Sequence, residues 1–136
     1  MPLSQRDDLF SKFRGNAPAS VIEIARFEEE SGLRLPKDYA AFLQRSNGGE
    51  GFIGPNAYII LWRLDDLTEM NKAYQVAEYV LGFFIFGSDG GSEAYAFDMR
   101  TSTMPIVSMP FVGIESRLAR VMASTFDGFL ECLSKT

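Results

Sequence analysis

Phe86-Gly87-Ser88-Asp89-Gly90-Gly91-Ser92-Glu93-Ala94-Tyr95-Ala96-Phe97-Asp98 is the stretch whose reading decides the fold. Its centre, Ser88-Asp89-Gly90-Gly91, supplies the positive φ angles that a hairpin loop demands. On one side Phe83–Phe86 is an apolar run of strand length. On the other, Ala94, Ala96 and Asp98 alternate with Glu93, Tyr95 and Phe97, the period of two that sends successive side chains to opposite faces. The pattern predicts an antiparallel hairpin over Phe83–Phe86 and Glu93–Phe97. Pro105–Met109 extends it as a further strand, and Ala57–Trp62, following Gly54-Pro55-Asn56, is a strand upstream of it.

Around these strands the apolar period changes to that of helices. Ser4 and Asp7 cap a short first helix with Leu9, Phe10 and Phe13 as its stripe, broken by Gly15-Asn16-Ala17-Pro18. A second runs from about Ala19 to Ser31, with Val21, Ile24, Phe27 and Ser31 on one face and Gly32 as its stop. Its Glu28-Glu29-Glu30 run is a solvated face, with Glu28 flanking the apolar stripe. After an extended link at Leu33 and Leu35, Pro36 fits the first turn of a third helix and Asp38 lies near its positive end. Tyr39, Phe42, Leu43 and Ser46 form that helix's buried face, and Asn47-Gly48-Gly49 ends it. Asp65 or Asp66 caps a fourth helix carrying Leu67, Met70, Tyr74 and Ala77 and ending near Tyr79. The last helix starts at Ser124, capped with Asp127, and buries Phe126, Phe129, Leu130 and Leu133. This order predicts an α+β fold over residues 1–136, a single domain with a central, mainly antiparallel sheet packed by helices.

Composition narrows the function. The 136 residues suit one domain, and the 46% apolar and 23% charged content is that of a globular chain. No apolar run approaches the ~20 residues that span a bilayer, so no membrane role is expected. The first residues lack the apolar core of a signal peptide, which predicts a cytoplasmic protein. Cys132 is the sole cysteine, excludes an internal disulfide, and sits in an apolar helical pattern that reads as a small buried hydrophobe. The absence of histidine removes the commonest general base, the usual partner of a nucleophilic serine or cysteine, and the commonest transition-metal ligand. A net charge of −5 and a pI near 4.7 argue against direct binding to nucleic acid and suit a basic partner.

The eye-catching motifs lack catalytic parts. Asn47-Gly48-Gly49-Glu50-Gly51 follows a helix and is not followed by lysine, unlike a phosphate-binding loop. Asp89, Glu93 and Asp98 match no calcium-loop spacing, and an odd separation on a strand sends Glu93 and Asp98 to opposite faces. Ser88 lacks a nucleophile elbow. No catalytic, metal or cofactor-binding residue is assigned, no cofactor is expected, and the protein is expected not to be an enzyme. Trp62, Tyr58, Tyr74 and Tyr95 are candidates for a contact surface, with core packing as the alternative for each.

Taken together, these segments resemble the SUKH superfamily, in the branch typified by fungal cell-wall assembly regulators. The resemblance covers about residues 18–133. It rests on Ile24, Phe27 and Glu28; on Leu35-Pro36-x-Asp38-Tyr39-x-x-Phe42-Leu43-x-x-Ser46-Asn47-Gly48-Gly49-x-Gly51; on Phe86–Gly91 with the strand ending at Asp98; and on Ala123-Ser124-x-Phe126-x-x-Phe129-Leu130. It implies helices around a mainly antiparallel sheet and a non-enzymatic role. That role is either an immunity protein neutralising a cognate toxin, often a nuclease, or a regulatory adaptor without a toxin. The matching positions are fold determinants and carry over no site residue. From loop position and charge, the expected partner-binding rim is Glu50, Asn56, Asp89, Ser92, Glu93 and Tyr95, meeting a basic toxin domain. Asp65, Asp66 and Glu69 form a second acidic cluster.

Overall fold

The computed structural model describes residues 8–136. Among the described residues seven strands lie in chain order and each pairs antiparallel with the next: β1 (Lys12–Gly15), β2 (Gly49–Ile53), β3 (Ala57–Leu61), β4 (Phe83–Ser88), β5 (Glu93–Asp98), β6 (Ile106–Pro110) and β7 (Arg120–Ala123). The α-helices among the described residues are α1 (Val21–Ser31), α2 (Lys37–Arg45), α3 (Leu64–Ala73), α4 (Val76–Tyr79) and α5 (Phe126–Ser134). The fold is α+β, as the order of periods implied.

The expected hairpin is β4–β5, with Phe84 opposite Phe97 and Ser88 opposite Ala94. Its two faces feed two cores. Phe84, Phe86, Tyr95 and Phe97 join Tyr39 and Phe42 of α2 and Phe126 and Phe129 of α5. Phe83, Ile85, Ala94 and Ala96 join Val76 of α4, Val80 and Ile114 on the other side. Tyr39 sits at the middle of the first core, with ring centroids 5.1 Å from Phe97, 5.2 Å from Phe126 and 5.6 Å from Phe86. Truncating such a ring to alanine typically costs about 3–5 kcal/mol. Asp38 ties α2 to α5: its carboxylate accepts from the backbone N–H of Tyr39 at 2.9 Å and of Asp127 at 3.0 Å.

Several local expectations are corrected. Residues 12–14, expected in a first helix, and Gly15, expected to break it, form β1 instead; Leu9 and Phe10 are buried in the turn before it, while Ser4 and Asp7 lie outside the described residues. β1 exists because β2 is glycine-rich. A Cβ at Gly49 would stand 2.5 Å from the Arg14 carbonyl oxygen and 2.7 Å from the Phe13 ring, and Gly49 adopts φ +141°. Only glycine lets the strands approach so closely. The run Asn47-Gly48-Gly49 therefore does more than end α2, whose C-cap is Ser46. Asn47, itself buried, accepts the Leu64 N–H at 2.7 Å and so caps α3 across the chain. Asp65 and Asp66 lie in the first turn of α3 and do not cap it.

The expected fourth helix is two helices, because Gln75 between them has φ +53°. Pro36 is the N-cap of α2, just outside its first turn. α1 opens on a capping box, with Ser20 and Glu23 bonding each other's backbone N–H. Its Val21, expected on the buried face, is 65% exposed. Glu28 is half-buried and accepts the Leu35 N–H at 2.7 Å. α5 is capped by Thr125, whose hydroxyl accepts the Gly128 N–H at 2.9 Å, rather than by Ser124. Cys132, expected to be buried, is exposed. No helix among the described residues is long and apolar enough to cross a membrane.

Candidate partner-binding surfaces

The structure assembles part of the expected rim. The β2–β3 and β4–β5 turns lie at the same end of the sheet, because β3 and β4 run antiparallel with Ile60 opposite Ser88. This places Asn56, Asp89, Ser92 and Glu93 along one end. Asp89 braces the hairpin turn, accepting the N–H of Gly91 at 2.8 Å and of Glu93 at 3.2 Å. The Ser88 hydroxyl accepts the Gly90 N–H at 2.8 Å. Asn56 donates to the Thr136 carbonyl at 3.1 Å, and Glu93 stands 3.7 Å from Arg120 of β7.

Of the other two expected residues, Tyr95 is covered and Glu50 lies away from that end. Tyr95, expected in the partner-binding rim, is only 6% exposed and packs edge-on against Phe129 of α5 at 4.8 Å. Burial, aided by the nearby Asp89 and Glu93 charges, pushes its phenol up to about 12. The strand period that put Tyr95 beside Glu93 was right, but α5 covers that face.

Glu50 lies in β2, opposite Arg14 on one side and Ile60 on the other, and accepts a hydrogen bond from the Tyr58 hydroxyl. That bond raises the Tyr58 pKa above its ordinary value. The Tyr58 ring lies under the β4–β5 turn, 3.1 Å from where a Gly90 Cβ would stand, and meets Phe52 edge-on at 5.2 Å. Arg14, Glu50, Phe52, Tyr58 and Ile60 thus share a sheet face whose charges are mixed. Of the other candidate aromatics, Tyr74 and Trp62 are half-buried around Phe111, at 4.5 Å and 6.4 Å.

Asp89, Glu93 and Asp98 are not brought together as one cluster. Asp98 is at the far end of β5 from Glu93, held by two 2.9 Å bonds from Arg100 that keep its carboxyl below the usual range. Among the described residues no group of three or more His, Cys, Asp or Glu side chains is placed to hold a metal.

One further concavity was not legible in the sequence. A groove of about 1100 Å³ lies between α1, α3–α4 and the start of β4. Phe27, Leu64, Phe83 and Phe84 give it an apolar lining, and Glu23, Glu30, Asp65 and Glu78 line it beside Arg26 and Lys72. Asn71 fills a gap in its wall: its carboxamide donates to the Ile85 carbonyl and accepts from the Ile85 N–H, both at 2.9 Å, as a paired strand residue would. The three helices bordering the groove hold eight carboxylates against Arg26 and Lys72, a net −6. With the whole chain at −5, everything else sums to +1. The cluster Asp65, Asp66 and Glu69 was a partial signal; its partner wall, α1, lies more than thirty residues earlier.

The profile of the SMI1 / KNR4 family (SUKH-1) matches residues 18–132, most of the chain, and the chain belongs to that family. The family includes toxin-immunity proteins and is one of generally non-enzymatic immunity or regulatory domains. No curated protein matches this chain. The matched span runs from the segment before α1 into α5, and so includes the β4–β5 hairpin and the two walls of the groove.

Proposed function

We propose that this chain is a cytoplasmic immunity protein that binds a cognate toxin domain, a basic nuclease, and blocks it without chemistry. The observation that carries the reading is the separation of charge: a net −6 on α1, α3 and α4 against +1 elsewhere, in a member of a family that includes toxin-immunity proteins. A nuclease must present a cationic surface to its substrate's phosphates. An acidic protein surface is attracted to the same cations, speeds encounter at low salt, and occludes the substrate path once bound. Nothing in this mechanism needs a general base, a metal or a cofactor.

The test is co-expression with the C-terminal domain encoded by the adjacent gene, scoring survival and co-purification. Survival with a stoichiometric complex whose association slows steeply with added salt is the expected result. Cell death without a complex rejects that pairing. A harmless neighbouring domain shifts the reading to a regulatory adaptor that binds another protein.

A further inference from the structure

We infer that the groove between α1 and α3–α4 seats a basic, amphipathic helix of the protein partner. The inference rests on the partner-binding reading above and adds where contact is made and by what kind of element.

Three observations carry it. The floor is apolar at the largely covered Leu64, Phe83 and Phe84, and the half-buried Phe27 and the 77% exposed Leu81 add uncovered apolar surface, so an occupant with an apolar stripe gains by burying it there. Carboxylates dominate the charged lining, with Glu23, Glu30, Asp65 and Glu78 against Arg26 and Lys72, which calls for lysine or arginine beside that stripe. The third observation concerns the backbone. An extended peptide needs a strand edge with free N–H and C=O groups. Both groups of Ile85 are already taken by Asn71, and the opposite edge of β4 is paired with β5. The other walls are helices, whose backbone groups are bonded internally along their length. An occupant of this groove must satisfy its own backbone, and a helix does so. The rival surface, the sheet face of β1–β3, sets Lys12 and Arg14 beside Glu50 and lacks a single complementary sign.

The test uses the full chain and a synthetic helix-forming peptide of leucine and lysine, with leucines spaced to form one stripe. A second peptide of the same composition has its leucines spread around the helix. Binding is read by fluorescence anisotropy and by amide shifts of the labelled protein. The striped peptide should bind at least about tenfold more tightly than the spread one and shift amides of α1, α3 and α4. Glu30, Asp65 and Glu78 are exposed, so the triple variant Glu30→Lys/Asp65→Lys/Glu78→Lys should fold and lose about tenfold or more in affinity. Leu81→Asp should weaken binding as well, whereas Glu50→Lys should not.

Equal binding of the two peptides, shifts centred on β1–β3, or an unaffected triple variant overturns the assignment. Concentration-dependent dimerisation that shifts the groove amides without peptide also overturns it, making a second copy the occupant. In the survival assay, full protection by the triple variant overturns the groove and leaves immunity standing. Groove binding by a chain that fails to protect supports the groove and removes the immunity reading.

Discussion

Asn71 offers the most direct test of how α3 holds the sheet. β3 pairs with β4 only at Gly87 and Ser88, so the backbone of Ile85 has no strand partner on that side. The Asn71 carboxamide supplies both missing bonds at 2.9 Å, and Ile85 is fully buried. Asn71→Ala leaves one donor and one acceptor unpaired. Each unsatisfied group costs about 1–3 kcal/mol, and water entering from the groove offsets part of this, so a loss of about 2–4 kcal/mol is expected. Against a total stability of about 5–15 kcal/mol, that is a large fraction. With a urea slope of about 1–3 kcal/mol/M, the unfolding midpoint should fall by roughly 1–2 M. Fluorescence of the single tryptophan, Trp62, follows the transition, and amide exchange at Ile85 should accelerate in the same variant. A loss below about 0.5 kcal/mol, with Ile85 exchange unchanged, would refute the edge-plugging role.

Three further outcomes follow from the same geometry. Gly49→Ala should destabilise by about 2 kcal/mol or more and expose β1 to limited proteolysis, since the new Cβ meets the Arg14 carbonyl at 2.5 Å; unchanged digestion between β1 and α1 would contradict the close approach. Arg100 lowers the Asp98 pKa, so this pair stabilises the fold above about pH 4 and its contribution is lost as pH falls through the depressed folded value. Because Arg100 is exposed, solvent screens the pair and the contribution is small, and Asp98→Asn should flatten the acid limb of a stability–pH curve. Tyr39 and Tyr95 are both raised by burial, so the unfolded chain loses their protons first and stability should fall as pH rises above about 10; an alkaline titration in which all five tyrosines ionise together near pH 10, with the protein still folded, would contradict their burial.

Local chemistry made much of this protein legible. The β4–β5 hairpin was readable because Ser88–Gly91 has turn chemistry and Ala94–Asp98 alternates, and both signals act over a few residues. α2 was readable because Tyr39, Phe42, Leu43 and Ser46 repeat at helical spacing and all are buried. β1, β2 and β7 were not. Glycines at 49 and 51 leave β2 without an alternating pattern, and β1 forms only because those glycines admit it. The interruption of the fourth helix at Gln75 has no local breaker such as glycine or proline, so its periodicity ran on through the break.

The sequence by itself determined the α+β class, the central hairpin, the resemblance that the family profile bears out, and the absence of histidine chemistry. Each of these is local or compositional, set by turn residues, side-chain period and residue type. Tertiary structure decided which faces are free. It buried Tyr95 under α5, turned Cys132 outward, made Asn47 a cap for a helix seventeen residues on, and brought α1 beside α3 and α4. The acidic groove arises from that last step. Its walls are separated by more than thirty residues, and only packing both helices on one sheet brings their carboxylates together around an apolar lining.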